Sequence, residues 1–457
     1  MKLNDLKNIY FLGIGGIGMS ALARYFNDQG LAVEGYDLVK TDLTKELESE
    51  GIKIGYADAV DRLPREIDLV VLTPAIPQTH KQLNWLKSQG IPIKKRAEVL
   101  GLLSKESKTI AVAGTHGKTT TSCLLAHMLT EADLKVTAFL GGLLAKEGTN
   151  YIKGSSDLVV LEADEYDRSF LHLNPQILVI ISMDPDHLDI YGNVEEMYAA
   201  YRQLTEQIPE GGTLILGPGV YALMSIEWIF DLNKRKIDLR KIFSDFDYNS
   251  VAVKDHQYHF TFKSKKKKKS LEVSTNLPGI HNVTNSSLAL EVGTVLGVSP
   301  QKMQKSISEF RGIKRRFETV YDGARKLIDD YAHHPEEVSY AVKTVKQLYP
   351  QSKILGVFQP HLYSRTKDFY RGFAAELSGL DGVLLMPIYP AREEPIEGIE
   401  SEIIYNLMTI DDKELIDGDS MLSEIESRSD YDLVMTIGAA DLDKYHNEII
   451  SVIKKEK

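Results

Sequence analysis

Residues Thr109 to Thr121 read T-I-A-V-A-G-T-H-G-K-T-T-T, and this stretch decides the fold. The β-branched apolar run from Thr109 to Ala113 predicts a buried parallel strand. It breaks at Gly114, a Gly117-Lys118-Thr119 triplet follows, and SCLLAHML then favours a helix. Strand, glycine turn, Lys-Thr and helix is the layout of a phosphate-binding loop. Backbone N–H groups of Gly114, Thr115, His116, Gly117, Lys118, Thr119 and Thr120, at a helix N-terminus, would cradle phosphate oxygens. Lys118 would reach the terminal phosphate and the Thr119 hydroxyl would ligate Mg²⁺. The loop is shorter than the common pattern, which has a glycine where this chain has Val112.

Composition narrows the class of molecule. A chain of 457 residues is long enough for two to four domains. The net charge of −11 argues against a mainly nucleic-acid-binding role. No apolar run is long enough to span a bilayer, so no stable membrane association is expected. The opening MKLNDLKNIYFLGIGG has too short and glycine-rich an apolar core for a signal peptide. The single cysteine, Cys123, excludes an internal disulfide and a cysteine-based zinc cluster. These traits fit a cytoplasmic enzyme, expected as a monomer or weak homodimer.

Outward from the loop, residues 1–106 read as a Rossmann-like domain. KNIYFL is a strand, and Gly13, Gly15 and Gly18 of GIGGIG fit G-x-G-x-x-G. The strand AVEGYD ends at Asp37, close to where such folds place a ribose-binding carboxylate. IDLVVLTPAIP is a further strand with a polar exit at Thr73, and KKRAEVLGLL opens a helix with Arg96 near its start. The glycine fingerprint reports a diphosphate, so NAD and a nucleotide sugar both fit it. SKESK, residues 104–108, reads as a linker.

Residues 107–318 read as a central domain of the P-loop ATPase type. Two apolar strands exit into acid-rich clusters: Glu162, Asp164, Glu165 and Asp167, then Asp184, Asp186, His187 and Asp189. Carboxylates beside a phosphate loop are what a magnesium–nucleotide site requires. Asn282 and Asn285 share a face at a predicted helix start beside His281. KSKKKKKS, residues 263–270, reads as a solvated hairpin tip. Arg315 and Arg316 stand at the domain's end, placed to reach an anion. Residues 319–457 read as a Rossmann-like C-terminal domain. Its polar residues collect at strand exits: Asp329 to His334, then His361 to Arg365, then Tyr389, Arg392 and Glu393.

AGTHGKTTT, EADEYD, DHLDIYG, GIHNVTN, RRFE, DDYAHHP and FQPHLYSRT, in this order, resemble the motifs of the Mur ligases of peptidoglycan synthesis. The last two variants resemble the L-alanine-adding branch. The resemblance implies an α/β fold in three domains: a Rossmann-like UDP-binding domain, a central ATP and magnesium domain, and a Rossmann-like closing domain. It implies ATP as co-substrate, two Mg²⁺ ions, and UDP-N-acetylmuramate and L-alanine as small-molecule partners. The carboxylate would be activated as an acyl phosphate and attacked by the amine. By the same resemblance Lys118, His187, Arg316 and His333 are catalytic. Thr119, Glu162 and His187 are metal ligands, and His281, Asn282 and Asn285 contact adenine. Arg316 and Asp330 contact phosphate and ribose on closure. Tyr331, His333, Arg365 and Arg392 grip the amino acid, and Gly15, Gly16, Thr73 and Arg96 line the UDP rim.

Two departures stand out. Relatives carry a carbamylated lysine shortly after the metal histidine, whereas no lysine occurs here between His187 and Lys234. Some relatives have arginine where this chain has Leu362, which shifts the amino-acid carboxylate towards Arg365, alone or with Arg392. Three other readings compete: a tripeptide-recycling relative, a nicotinamide-dependent oxidoreductase and a nucleotide switch. The oxidoreductase would leave the phosphate loop and the magnesium acids idle.

Overall fold

The computed structural model describes residues 3–186, 188–242, 251–254, 257–264, 270–391 and 393–454. The chain divides into two compact units, Met1–Arg311 and Gly312–Lys457.

The first unit opens with β1 (Asn8–Leu12), β2 (Ala32–Tyr36), β3 (Lys53–Gly55), β4 (Leu69–Leu72) and β5 (Ile93–Lys95). They form a parallel sheet in the order β3-β2-β1-β4-β5. Phe11 and Leu12 of β1 are wholly buried, as a strand covered on both faces must be. The strand order reverses at β1, so a crevice opens past the ends of β1 and β4. Gly13 to Gly16 and Thr73 sit there because they directly follow those two strands.

The second sheet comprises β6 (Lys108–Ala113), β7 (Thr137–Phe139), β8 (Tyr151–Ile152), β9 (Leu158–Glu162), β10 (Ile177–Ile180), β11 (Thr213–Leu216) and β12 (Asp238–Lys241). Its order is β12-β11-β10-β6-β9-β7-β8, parallel except for β8. The phosphate-loop strand β6 lies between β9 and β10, so the strands that lead into the two acid clusters flank the loop's own strand. The helix Lys118–Glu131 begins at the expected lysine and is buried from Thr121 to Leu129. The expected linker over 104–108 is not one. The helix Arg96–Lys105 runs into it, and β6 starts at Lys108.

A buried amide joins the two sheets' layers. Asn150 Nδ2 donates to Ile17 O at 2.5 Å and to Ser20 Oγ at 2.9 Å, and Asn150 Oδ1 accepts from Arg24 at 2.7 Å. β13 (Ala252–Lys254), β14 (Gln257–Lys263) and β15 (Ser270–Thr275) form an antiparallel sheet in which Lys263 faces Ser270. That register fits a hairpin, and its lysine-rich residues 265–269 lie outside the described residues.

The second unit holds β16 (Glu318–Asp322), β17 (Lys326–Asp330), β18 (Ile354–Phe358), β19 (Gly382–Leu385), β20 (Lys413–Leu415) and β21 (Leu433–Ile437). The order is β16-β17-β21-β18-β19-β20, parallel except for β16. Apolar clusters cover both faces. The parallel strands point the same way, so the polar exits after β17, β18, β19 and β21 share one rim. The expected α/β class is what the chain adopts.

Candidate active site

The phosphate loop is shaped by two glycines with positive φ, Gly114 at +139° and Gly117 at +79°. A Cβ on Gly117 would lie 2.7 Å from Asn285 Oδ1. Only glycine therefore lets the helix Ile280–Val295 approach the loop here. Asn285 in turn donates to Asn282 Oδ1 at 2.9 Å, and Asn282 donates to Pro278 O at 2.6 Å. Both amides are buried and fix the first turn of the helix, with Asn285 packed against Gly117, while His281 is exposed at that turn.

Two loop residues expected to bind phosphate through their N–H groups are engaged elsewhere. The His116 N–H donates to Ser182 Oγ at 3.2 Å, and the Thr115 N–H donates to Ser182 O at 3.3 Å. Thr115 Oγ1 donates to Asp184 O at 2.9 Å. Both residues therefore tie the loop to the exit of β10, and His116 itself is exposed. The helix begins at Lys118 with Gly117 as its N-cap, so the N–H groups of Lys118, Thr119 and Thr120 stand at a helix N-terminus.

Lys118 Nζ reaches Gly114 O at 2.8 Å, Thr115 O at 3.3 Å and Glu165 at 2.7 Å. The Glu165 side chain is only 2% exposed. Burial pushes its carboxyl upward, and the Lys118 ammonium pulls against that. Thr119 Oγ1 donates to Glu162 Oε1 at 3.0 Å, and the Gly141 N–H donates to Glu162 Oε2 at 3.0 Å. The acid cluster after β9 thus separates into distinct tasks. Glu162 faces Thr119, Glu165 pairs with Lys118, Asp164 accepts from Tyr166 N at 3.1 Å, and Asp167 meets Lys95 at 2.7 Å. Asp167 and Arg168 hold φ of 54° and 55°, a left-handed turn in residues that disfavour it.

A hydroxyl and a carboxylate side by side at a helix N-terminus are hard oxygen donors, so Thr119 and Glu162 fit Mg²⁺ with phosphate oxygens completing its shell. Among the described residues, no group of three or more His, Cys, Asp and Glu side chains is placed to hold a metal unaided. His187, the expected second-ion ligand, lies outside the described residues.

From Thr119 and Glu162 the site continues toward the first sheet. A cleft of about 360 Å³ is lined by Gly16, Gly18, Thr73, Arg96, Glu162 and Asp164, among others. Gly18 lies directly beneath the Arg96 guanidinium, where a Cβ would collide with it. Gly15 is just as constrained, since a Cβ there would lie 2.9 Å from the Asp37 carboxylate. Asp37 is half-buried. Its Oδ2 accepts from Gly15 N at 2.7 Å and so holds the glycine turn itself.

The second unit carries its own constellation at the strand exits. His333 Nδ1 lies 2.9 Å from Tyr331 O, and burial lowers its affinity for a proton while Glu337 opposes that. His361 stacks on Tyr389 with centroids 5.8 Å apart, and its ring lies 6.4 Å from that of His333. Arg365 Nη1 stands 3.4 Å from His361 Nδ1. Burial first, then the Arg365 charge, bring the His361 pKa down to about 4. A neutral ring whose Nδ1 faces Arg365 carries its proton on Nε2.

Leu362 holds φ +71° between these groups, with its N–H on Tyr389 O at 2.9 Å. Glu393 accepts from Ser364 N at 3.0 Å and from Ser364 Oγ at 2.5 Å, capping the helix Tyr363–Leu377 that presents Arg365. Asp330 accepts from Phe317 N and Ala332 N, each at 2.8 Å, beside Arg316. Arg315 does not face outward with Arg316. It is engaged by buried Asp329 at 3.0 Å and by Gly438 O at 2.7 Å. Arg392 lies outside the described residues.

Sequence reasoning placed Glu165 in the acid cluster without a partner, and it missed Gly141 and Ser182 altogether. It left His361 as one strand-exit residue among several. The available signal was position alone, since His361 leaves β18 just before the helix that carries Arg365. Nothing local marks which acid of EADEYD meets Lys118.

Family models match along the chain: the Mur ligase family catalytic domain over 8–108, the Mur ligase middle domain over 112–293, and the Mur ligase glutamate ligase domain over 315–440. The UDP-N-acetylmuramate–L-alanine ligase of Cytophaga hutchinsonii is 41% identical, over 97% of this chain and 96% of its own. The enzyme of that name from Christiangramia forsetii is 42% identical, over 99% and 98%. The crystal structure of UDP-N-acetylmuramate–alanine ligase from Thermotoga maritima superposes with a TM-score of 0.80 at 26% identity, covering 98% of this chain and 100% of that one. A murein peptide ligase from Psychrobacter arcticus shares the fold, with a TM-score of 0.66 at 22% identity over 99% of both chains.

Proposed function

The chain belongs to the Mur ligase family, and from that premise we propose that it joins L-alanine to UDP-N-acetylmuramate, driven by ATP, in peptidoglycan synthesis. The observation that carries this reading on the molecule is the cleft from Gly16 and Arg96 to Glu162, whose carboxylate accepts from Thr119 next to Lys118. It gives one path on which a diphosphate-linked acid and a nucleotide phosphate can meet.

A carboxylate is a poor electrophile, and oxide is a poor leaving group. In the first step a lactyl carboxylate oxygen attacks the γ-phosphorus of ATP, and the bond to the β-phosphate oxygen breaks to release ADP. The alanine nitrogen then attacks the acyl carbon, loses a proton, and phosphate departs from the tetrahedral intermediate. Little covalent work is left for the protein, so positioning and charge neutralisation dominate. The N–H groups from Gly117 to Thr120 cradle the phosphates, and Lys118 meets the transferred group. Gly114, Thr115 and His116 hold the loop in place for them. Thr119 and Glu162 hold Mg²⁺, which supplies Lewis-acid neutralisation of phosphate charge when bound. His281 contributes the exposed edge for adenine, while Asn282 and Asn285 fix the helix that presents it.

Gly15, Gly16, Thr73 and Arg96 receive the UDP-sugar. Arg316 and Asp330 contribute the phosphate and ribose contacts. Arg365 takes the alanine carboxylate with two parallel hydrogen bonds, joined by His361 and Tyr331. His333 engages Tyr331 O through Nδ1, which leaves Nε2 as the base for the alanine ammonium. We assign a second Mg²⁺ to His187 and a supporting carboxylate contact to Arg392. We also place the enzyme in the cytoplasm as a monomer or weak homodimer. Among the described residues no helix is long and apolar enough to cross a membrane.

Phosphate release measured across UDP-N-acetylmuramate and a panel of amino acids and peptides tests the reading. Release should require both the sugar acid and L-alanine. Preference for a preformed tripeptide, or release without an amine, would overturn it.

A further inference from the structure

Arg315 sits one residue before the proposed nucleotide contact, yet its side chain turns inward. Its Nε donates to Asp329 Oδ2 at 3.0 Å, its Nη2 donates to Gly438 O at 2.7 Å, and its guanidinium lies 4.9 Å from the Tyr331 ring centroid. Asp329 is fully buried, and its other oxygen accepts from Thr436 Oγ1 at 2.6 Å, with His446 Nε2 3.6 Å away. The backbone repeats the connection. Tyr331 N donates to Arg315 O at 2.7 Å, Phe317 N to Asp330 Oδ2 at 2.8 Å, and Gly438 N to Asp330 O at 3.0 Å.

Arg315 and Phe317 both hold positive φ, +63° and +48°, which non-glycine residues keep only when their surroundings impose it. Here the imposing groups are Asp329, Asp330, Glu318 and the Gly438 carbonyl.

We propose that Arg315 is a positioning residue that joins the Arg316 turn to the Tyr331–His333 turn, so that nucleotide and amino-acid contacts of the second unit are set together. The inference rests on the roles proposed above for Arg316, Tyr331 and His333. A planar guanidinium can bridge a carboxylate, a carbonyl and an aromatic face at once, and an ammonium cannot reproduce that fork. Losing part of the fork loosens both turns at Asp329 and Gly438, and leaves the Asp330 carboxylate and the backbone bonds as their remaining ties.

The test uses the full-length enzyme with Arg315→Lys. The KM values for ATP and L-alanine should rise together, each by about tenfold, the effect of one lost charge-assisted contact. The KM for UDP-N-acetylmuramate, bound by the first unit, should stay at the wild-type value. A fall in Tm with all three KM values unchanged would reduce Arg315 to a structural residue and overturn the proposal. So would a rise confined to ATP or to L-alanine alone.

Should Arg315→Lys fail to fold, Thr436→Val removes only the hydroxyl on Asp329 and carries the same comparison. Deuterium uptake then gives an independent reading: the amides of Phe317 and Tyr331 should lose protection together, and loss at one or neither counts against the link. A wild-type enzyme that releases no phosphate with L-alanine would refute the functional reading instead, and the exchange measurement would still decide on the network.

Discussion

Lys118 shows how a single residue can be identified from sequence while its environment cannot. Its place between Gly117 and Thr119 after an apolar strand was legible in the order of residues. Its partner Glu165 was not, because four acids crowd the exit of β9 and only the fold decides which one turns inward. The partners of Asp37, His116 and Arg315 were illegible for the same reason: spacing placed them at turns, and only tertiary contacts decide what their polar groups meet. Replacing Lys118 by alanine should lower ligation by roughly 10²-fold or more, as loss of a preorganised charge at the reacting group does. Phosphate-release kinetics on the folded variant check this, and near-normal turnover would remove Lys118 from the mechanism. His361 offers a second residue-scale outcome. Its pKa falls from 6.5 to about 4 in the folded chain, so the unfolded chain binds more protons between those values. Stability from this group is complete above its unfolded pKa and is lost as pH falls through that window. Denaturant unfolding of His361→Gln, compared with wild type from pH 7 to 4, should show a shallower decline. Equal slopes would mean that the imidazole titrates normally.

At the scale of elements, strands were easier to read than the joints between them. Apolar runs located β1, β4, β6, β9, β10, β17, β18, β19 and β21, since strands buried on both faces must be apolar throughout. Short edge strands such as β8 and β20 left no such trace, because two or three residues carry no periodicity. The joint at Asn150 was invisible for a different reason. An isolated asparagine in a polar loop has no local signature, and its partners Ile17, Ser20 and Arg24 lie more than a hundred residues earlier. Asn150→Ala should destabilise the first unit by about 1–3 kcal/mol, the cost of leaving buried polar groups unpaired. Chemical denaturation would measure it. A change within error would show that the joint does not depend on the amide, Arg24 being satisfied by Glu46 and Glu50.

For the molecule as a whole, the motif order along the chain carried the architecture. The division into units at Arg311 and Gly312 was not legible to the residue, because no composition shift marks it. The glycine turn at residues 13–18 could not by itself choose between a dinucleotide and a nucleotide sugar. The proposed function makes the choice, and thermal unfolding can check it. UDP-N-acetylmuramate at 100 times its Kd should stabilise the protein by about 2.7 kcal/mol, with a matching rise in Tm. NAD at the same concentration should leave Tm in place. The opposite pattern would assign the first sheet to a different ligand.

The cleft that runs from Arg96 to Glu162 also bears on inhibition. Because Arg96 and Glu162 line one cleft of the first unit, a single compound could touch both at once. A uridine diphosphate mimic tethered to a phosphate-loop binder would make its second contact at high effective concentration. A tether of matched length could exceed either fragment's affinity by about 10²–10⁴-fold without any new contact to the protein.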